Sequence, residues 1–142
     1  MRLPTISLAL ATTAAALALA SAAPAVAAPA AHTQAAAAWH TLRHEAMPAQ
    51  KGYFTTNSWQ RPSGARVMQV KARCWGNDTN LEVKLWFVRN WGGGEKVAKA
   101  GTFRCNGRYG YVRISNAGHR EYYASFSLRK KHTVEYWVQY YK

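Results

Sequence analysis

Acidic side chains are scarce in this chain. Six Asp and Glu stand against nineteen Lys and Arg in 142 residues, a formal net charge of +13. Beyond the N-terminal leader the carboxylates are Glu45, Asp78, Glu82, Glu95, Glu121 and Glu135, and no two of them are spaced as the acid and base of a glycosidase-type pair. Only two cysteines occur, Cys74 and Cys105, with no C-x-x-C spacing, so neither a thiolate metal site nor a dithiol redox centre is encoded. There is no G-x-S-x-G nucleophile elbow. The Gly92-Gly93-Gly94 run after Trp91 lacks the lysine and following helix of a phosphate loop. His40 and His44 share i, i+4 spacing, but no third metal ligand is evident. No cofactor, metal or catalytic residue is therefore assigned.

What is present begins with export. Arg2 supplies a positive n-region, Ile6 to Ala20 an apolar or small-residue core, and Ala25-Val26-Ala27 a cleavage motif. Residues 1–27 are expected to be a secretory signal peptide. The remaining chain, secreted and extracellular with no transmembrane segment after cleavage, keeps a charge of about +12, spread over the domain rather than gathered in a tail. Outside the cytosol the two cysteines are expected to form one disulfide, Cys74–Cys105, closing a loop of 31 positions.

Residues 28–50 differ in composition from the rest of the chain. They are Ala-rich, and Trp39, Leu42 and Ala46 recur at i, i+3 and i+7, so a short helix from Gln34 to Glu45 capped by Thr33 is one expectation. A flexible arm and a pro-segment are the others. From residue 51 to 142 the period becomes two and turn signals recur about every ten residues, which predicts an all-β sandwich or barrel of about seven antiparallel strands. The expected strands are Tyr53–Ser58, Arg66–Trp75, Leu81–Arg89, Lys96–Cys105, Arg108–Ser115, Glu121–Arg129 and Thr133–Tyr141.

Three hairpins result from matching apolar faces. Asn106-Gly107 suggests a type I′ turn that sets Phe103 opposite Gly110. Gly76 to Thr79 would join two strands with Arg73 opposite Glu82 and Lys71 opposite Lys84. A loop of Lys130-Lys131-His132 would set Phe126 opposite Tyr136. In all three, Met68, Val70, Ala72, Cys74, Leu81, Val83, Leu85, Phe103, Cys105, Val112 and Ile114 face inwards.

The outward positions then carry Trp75, Trp86, Tyr109, Tyr111, Tyr123, Trp137 and Tyr141 among Lys and Arg. Flat rings beside cations suit sugars or bases by stacking and polyanions by charge. The expected ligand-binding residues are Trp75, Trp86, Trp137 and Tyr123 for stacking. Lys71, Arg73, Lys84 and the Arg129, Lys130, Lys131 protrusion would supply attraction. The expected function is non-enzymatic binding of an anionic polymer or glycan-bearing surface such as cell wall or envelope. A secreted antimicrobial protein or an inhibitor of an acidic extracellular enzyme is the alternative, with an acidic extracellular protein as partner, and nucleic acid is compatible but not favoured.

One local run is similar to a known family. Glu121-Tyr122-Tyr123-Ala124-Ser125-Phe126-Ser127-Leu128 resembles the late strand of the small secreted microbial guanyl-specific ribonucleases. The resemblance covers about eight residues, and Tyr122 stands where that family keeps its catalytic histidine. It implies a ribonuclease-like hydrolase only if His119 and Glu121 take over the acid–base work, and no catalytic residue is carried over.

Overall fold

The computed structural model describes residues 36–89, 92–118 and 120–142. The expected signal peptide, residues 28–35 of the Ala-rich region, Trp91 and His119 lie outside the described residues. The described chain is all-β: β1 (Trp39–Thr55), β2 (Trp59–Gln60), β3 (Val67–Cys74), β4 (Asn80–Val88), β5 (Glu95–Arg104), β6 (Gly110–Ile114) and β7 (Glu121–Tyr141). All pairings are antiparallel, and the strands succeed one another around a nearly closed barrel in the order β5-β4-β7-β3-β6, with β1 and β2 also on β7.

β7 organises everything else. It is a single strand of 21 residues. Its first half pairs with β4 (Leu81 with Leu128, Phe87 with Tyr122), its second half with β3 (Met68 with Tyr140, Cys74 with Val134). β1 accompanies it from Thr55 opposite Ser125 to Trp39 opposite Tyr141. The expected hairpin at Lys130-Lys131-His132 is therefore absent, and those residues lie within β7. Phe126 and Tyr136 still meet in the core, with ring centroids 4.9 Å apart, though both belong to the same strand.

The hairpin over Gly76 to Thr79 is also replaced. β3 and β4 do not pair; they run in the same direction, one after the other, along β7. Lys71 consequently lies between Trp137 and Tyr111, while Lys84 lies between Ser125 and Ala100. Arg73 faces Glu135, not Glu82. Asn106-Gly107 is not a type I′ turn either. Gly107 has φ +78° but Asn106 keeps a negative φ, and its Oδ1 accepts a hydrogen bond from the Arg108 amide at 3.0 Å. β5 and β6 form the two ends of the strand order with no ladder between them. Phe103 nonetheless covers Gly110, where a Cβ would lie 2.1 Å from its ring.

The expected helix over Gln34 to Glu45 is overturned for its described part, since residues from Trp39 onwards are strand. β1 has register shifts between Thr41 and Arg43, Met47 and Gln50, and Gln50 and Gly52. Each irregularity resets the alternation, so the half-buried positions become Arg43, Met47, Gln50 and Phe54. Trp39, Leu42 and Ala46, whose spacing suggested the helix, are all exposed on this strand.

Face assignments survive where partners do not. Met68, Val70, Ala72, Leu81, Val83, Leu85, Val112, Ala124, Phe126, Leu128, Val134, Tyr136 and Val138 form the buried core. Phe103 and Ile114 pack against it from the seam. Cys74 and Cys105 are joined as expected, Sγ–Sγ 2.02 Å, fully inside. Closing 31 positions stabilises the fold by about 3–4 kcal/mol on the chain-entropy account. The bond ties the corner after β5 to the end of β3, and the Gly107 amide donates to the Cys74 carbonyl at 2.8 Å beside it.

Candidate functional site: a cationic aromatic face

Alternation along β3, β6 and β7 sends one set of side chains inwards and exports the other to a common outer face. Cross-strand register then builds rows. One row reads His44, Trp137, Lys71, Tyr111; the next contains Gln139, Gln69, Arg113; a third pairs Glu135 with Arg73. Tyr109 and Trp75, just beyond β6 and β3, complete the face.

Cations and rings interleave here. Lys71 Nζ sits 4.0 Å from the Tyr109 ring centroid and 4.9 Å from that of Trp137. The Arg73 guanidinium lies 4.8 Å from Trp75 and 4.6 Å from Tyr109. Arg113 lies 4.8 Å from Trp39 and donates two hydrogen bonds to Gln69 Oε1, at 2.9 and 2.7 Å. Gln69 is buried and donates in turn to Gln139 at 2.8 Å. Trp137 stacks on His44 at 4.1 Å with planes 8° apart and meets Tyr109 edge-on at 5.3 Å. Contacts of this kind contribute about 0.5–1 kcal/mol each at partly exposed sites. Their larger effect is to hold long side chains in one place.

Glu135 is the carboxylate within this face. Arg73 bridges to it at 2.6 Å and His44 at 2.9 Å. Partial desolvation pushes its carboxyl upwards, but hydrogen bonds from His44 and Arg73 outweigh that and hold it below the ordinary range. Arg73 is thus compensated. Lys71 and Arg113 are not: among the described residues no carboxylate pairs with either. Exposed rings border them, with Tyr111 50% and Trp75 39% accessible.

The structure therefore unites Lys71, Arg73, Trp75 and Trp137 of the expected site. Trp86, Tyr123 and Lys84 lie on the other half of β7. Trp86 and Trp137 mark rows 14 residues apart along that strand (Tyr123 against Trp86, Trp137 against Lys71), a contour of roughly 46 Å. There Trp86 stacks parallel to Tyr123 at 5.8 Å and donates its N–H to Ser125 at 2.8 Å. The Tyr123 hydroxyl donates to Glu95 at 2.5 Å, and desolvation followed by that bond pushes the phenol well above its ordinary range. Lys84 pairs with Glu82 at 2.9 Å. Of the basic protrusion, Lys130 is tied to Asp78 at 3.0 Å, whose other oxygen meets His132 at 2.6 Å. The Lys130 hydrogen bond is the chief reason the Asp78 carboxyl lies below its ordinary value. Arg129 and Lys131 remain exposed.

Trp39, His44 and Arg113 were not expected at the site. Trp39 and His44 stand on β1, where the helical spacing concealed them, and only the alternation of β6 marked Arg113 as outward. Among the described residues no group of three or more His, Cys, Asp or Glu is placed to hold a metal ion.

No protein-family model matches the chain, and no curated protein matches it. Among solved structures it is similar to one described as "Crystal structure of PirA", at 18% identity and a TM-score of 0.47, over 73% of this chain and 93% of that one. That likeness is below the level at which a shared function follows.

Proposed function

We propose that this protein is a secreted, non-catalytic binding module whose β1-β7-β3-β6 face engages an anionic polymer or glycan-bearing surface, such as cell wall or envelope polymer. The observation that carries this is the state of Lys71 and Arg113. Both are held on aromatic rings, without a carboxylate partner, in a chain of formal charge +13. Cations fixed in this way lose little further side-chain entropy on meeting an anion, and the field of the whole domain raises the local concentration of polyanions. Trp75 and Tyr111 supply open ring surface for the sugar part of such a polymer. Trp137 serves as the support between His44 and Lys71. Trp86, Tyr123 and Lys84 are engaged within the fold and are left out of the binding face.

The test is sedimentation of the full chain with purified wall fragments, either bearing their phosphate polymers or stripped of them. It is run at about 0.05 M and about 0.5 M salt, where screening falls from beyond to within contact range. Binding should need the phosphate polymer and fall steeply with salt. Lys71→Glu and Arg113→Glu should each weaken it by about fivefold or more, the worth of one basic residue near an anionic surface. Equal binding to stripped fragments at both salt levels with the charge reversals silent would refute the charge part. Loss on Trp75→Ala under the same conditions would then leave a neutral glycan as the ligand.

A further inference from the structure

The ends of the strand order, β5 and β6, close against each other only part of the way. Phe103 covers Gly110, and Gly101 approaches Val112, where a Cβ would lie 3.1 Å from its Cγ2. One step further the gap opens into a cavity of about 890 Å³ that shares only Arg113 with the proposed binding face. Its floor is apolar: Phe87 of β4, Ile114 of β6 and Tyr122 of β7. Phe87 and Ile114 are core-facing side chains that the barrel leaves half covered.

Its rim is cationic. Lys99 stands opposite the fully buried Leu85 on the inner side of β5, but at this open end its own side chain is exposed, on the cavity rim. The register then slips between Leu85 and Trp86, with Ala98 as the extra residue, and both Ala98 and Lys99 line the cavity. Bulges re-aim side chains in this way. Arg120 places its guanidinium 5.4 Å from the Phe87 ring, and Arg89 also lines the cavity. No Asp or Glu lines the cavity, and among the described residues none of these three cations has an ion-pair partner. Arg113 also borders the cavity, but its guanidinium is committed to Gln69 and Trp39 on the outer face.

A lysine and two arginines around one apolar floor, with no carboxylate among them, are unfavourable for an isolated domain. Like charges repel, and the half-covered Phe87 and Ile114 side chains stay wet. One class of molecule relieves both. We propose that the seam cavity binds a single-chain amphiphile with an anionic headgroup, its hydrocarbon on Phe87, Ile114 and Tyr122 and its carboxylate or phosphate between Lys99, Arg120 and Arg89. The volume lies within the range of small-molecule sites. Fatty acids and phospholipid fragments share this chemistry.

Four probes with one twelve-carbon chain separate the contributions: laurate, dodecyl phosphate, dodecanol and dodecyltrimethylammonium. Titrated calorimetrically into the full chain, at least one of the two anions should saturate at one per chain. Dodecanol should bind at least about tenfold more weakly and the cation not at all. Preference for laurate identifies a fatty acid site, preference for dodecyl phosphate a phospholipid-type one. Lys99→Glu and Arg120→Glu should each cost about tenfold or more, and Ile114→Trp should block the site. Lys51→Glu, on the exposed part of β1, should change nothing. Near-UV circular dichroism checks folding, and Lys99→Gln replaces the charge reversal if that variant does not fold. Absence of saturable anion binding, dodecanol as tight as laurate, or indifference to both Lys99→Gln and Ile114→Trp would overturn the proposal. Loss of wall binding by Lys71→Glu leaves it untouched, so the two sites fail separately.

Discussion

Glu135 shows how one side chain fixes a face. It receives Arg73 and His44 at once, so removing its charge frees a guanidinium that currently lies over Trp75 and Tyr109. Its carboxyl is held below the ordinary value of 4.5, and that of Asp78 below 3.8. For a carboxyl whose folded value is depressed, the stabilisation is fully present above the unfolded value. It is lost as pH falls through the folded one. Stability should therefore be flat above about pH 5 and fall through the acid range below about pH 4. Glu135→Gln should cost about 1 kcal/mol near neutrality, a charge-assisted hydrogen bond at a partly exposed site. The gap between variant and parent should close in urea titrations at about pH 2.5. A gap of the same size at both pH values would mean the cost is packing rather than charge.

Elements divide into what their own residues specify and what distant residues specify. Inward and outward faces were legible because alternation is a property of one strand: Met68, Val70, Ala72 and Cys74 lie inside whichever strand they meet. Partner choice was not legible, because several pairings place apolar residues on the same side. Lys130-Lys131-His132 looked like a turn between apolar strands, yet β4 and β3 each pair with one half of β7, so the chain passes straight through. β1 was the least legible element. Trp39, Leu42 and Ala46 have a helical spacing yet are all exposed on a strand with three irregularities of register, and the helical reading concealed the two site residues Trp39 and His44. The same irregularities, with Pro48, blunt an edge strand of 17 residues against pairing with another chain. The site was legible where alternation decides it, at Lys71, Arg73 and Trp137, and not where it needed β1. At the seam, contact between β5 and β6 rests on side chains, chiefly Phe103 over Gly110. Gly110→Ala should thus cost about 1–3 kcal/mol by overpacking. In a Phe103→Ala background the same change should cost almost nothing. Chemical denaturation of the four proteins measures the coupling, and additive costs would show that the seam is not closed by this contact.

At the scale of the molecule, β7 is the strand on which β1, β2, β3 and β4 all pair. Trp39 and Tyr141, near the two ends of the described chain, are partners, so nearly every ladder waits for residues far away in sequence. Such topologies fold slowly and as a whole. Ending the chain at Thr133 tests this. The cut removes Val134, Tyr136 and Val138 from the core, at roughly 1.5–3 kcal/mol each, and strips β3 and half of β1 of their β7 partner. The side chains alone amount to roughly 5–9 kcal/mol against a typical domain stability of about 5–15 kcal/mol, before any ladder is counted. Were 121–129 and 133–141 a local hairpin, the same cut would peel off one strand and leave the rest cooperative. With β7 as the common partner, the shortened chain should show no cooperative thermal transition and no near-UV dichroism, even with Cys74 and Cys105 oxidised. A sharp melting transition in the shortened protein would contradict the central place of β7, and with it the rows of side chains that build the cationic face.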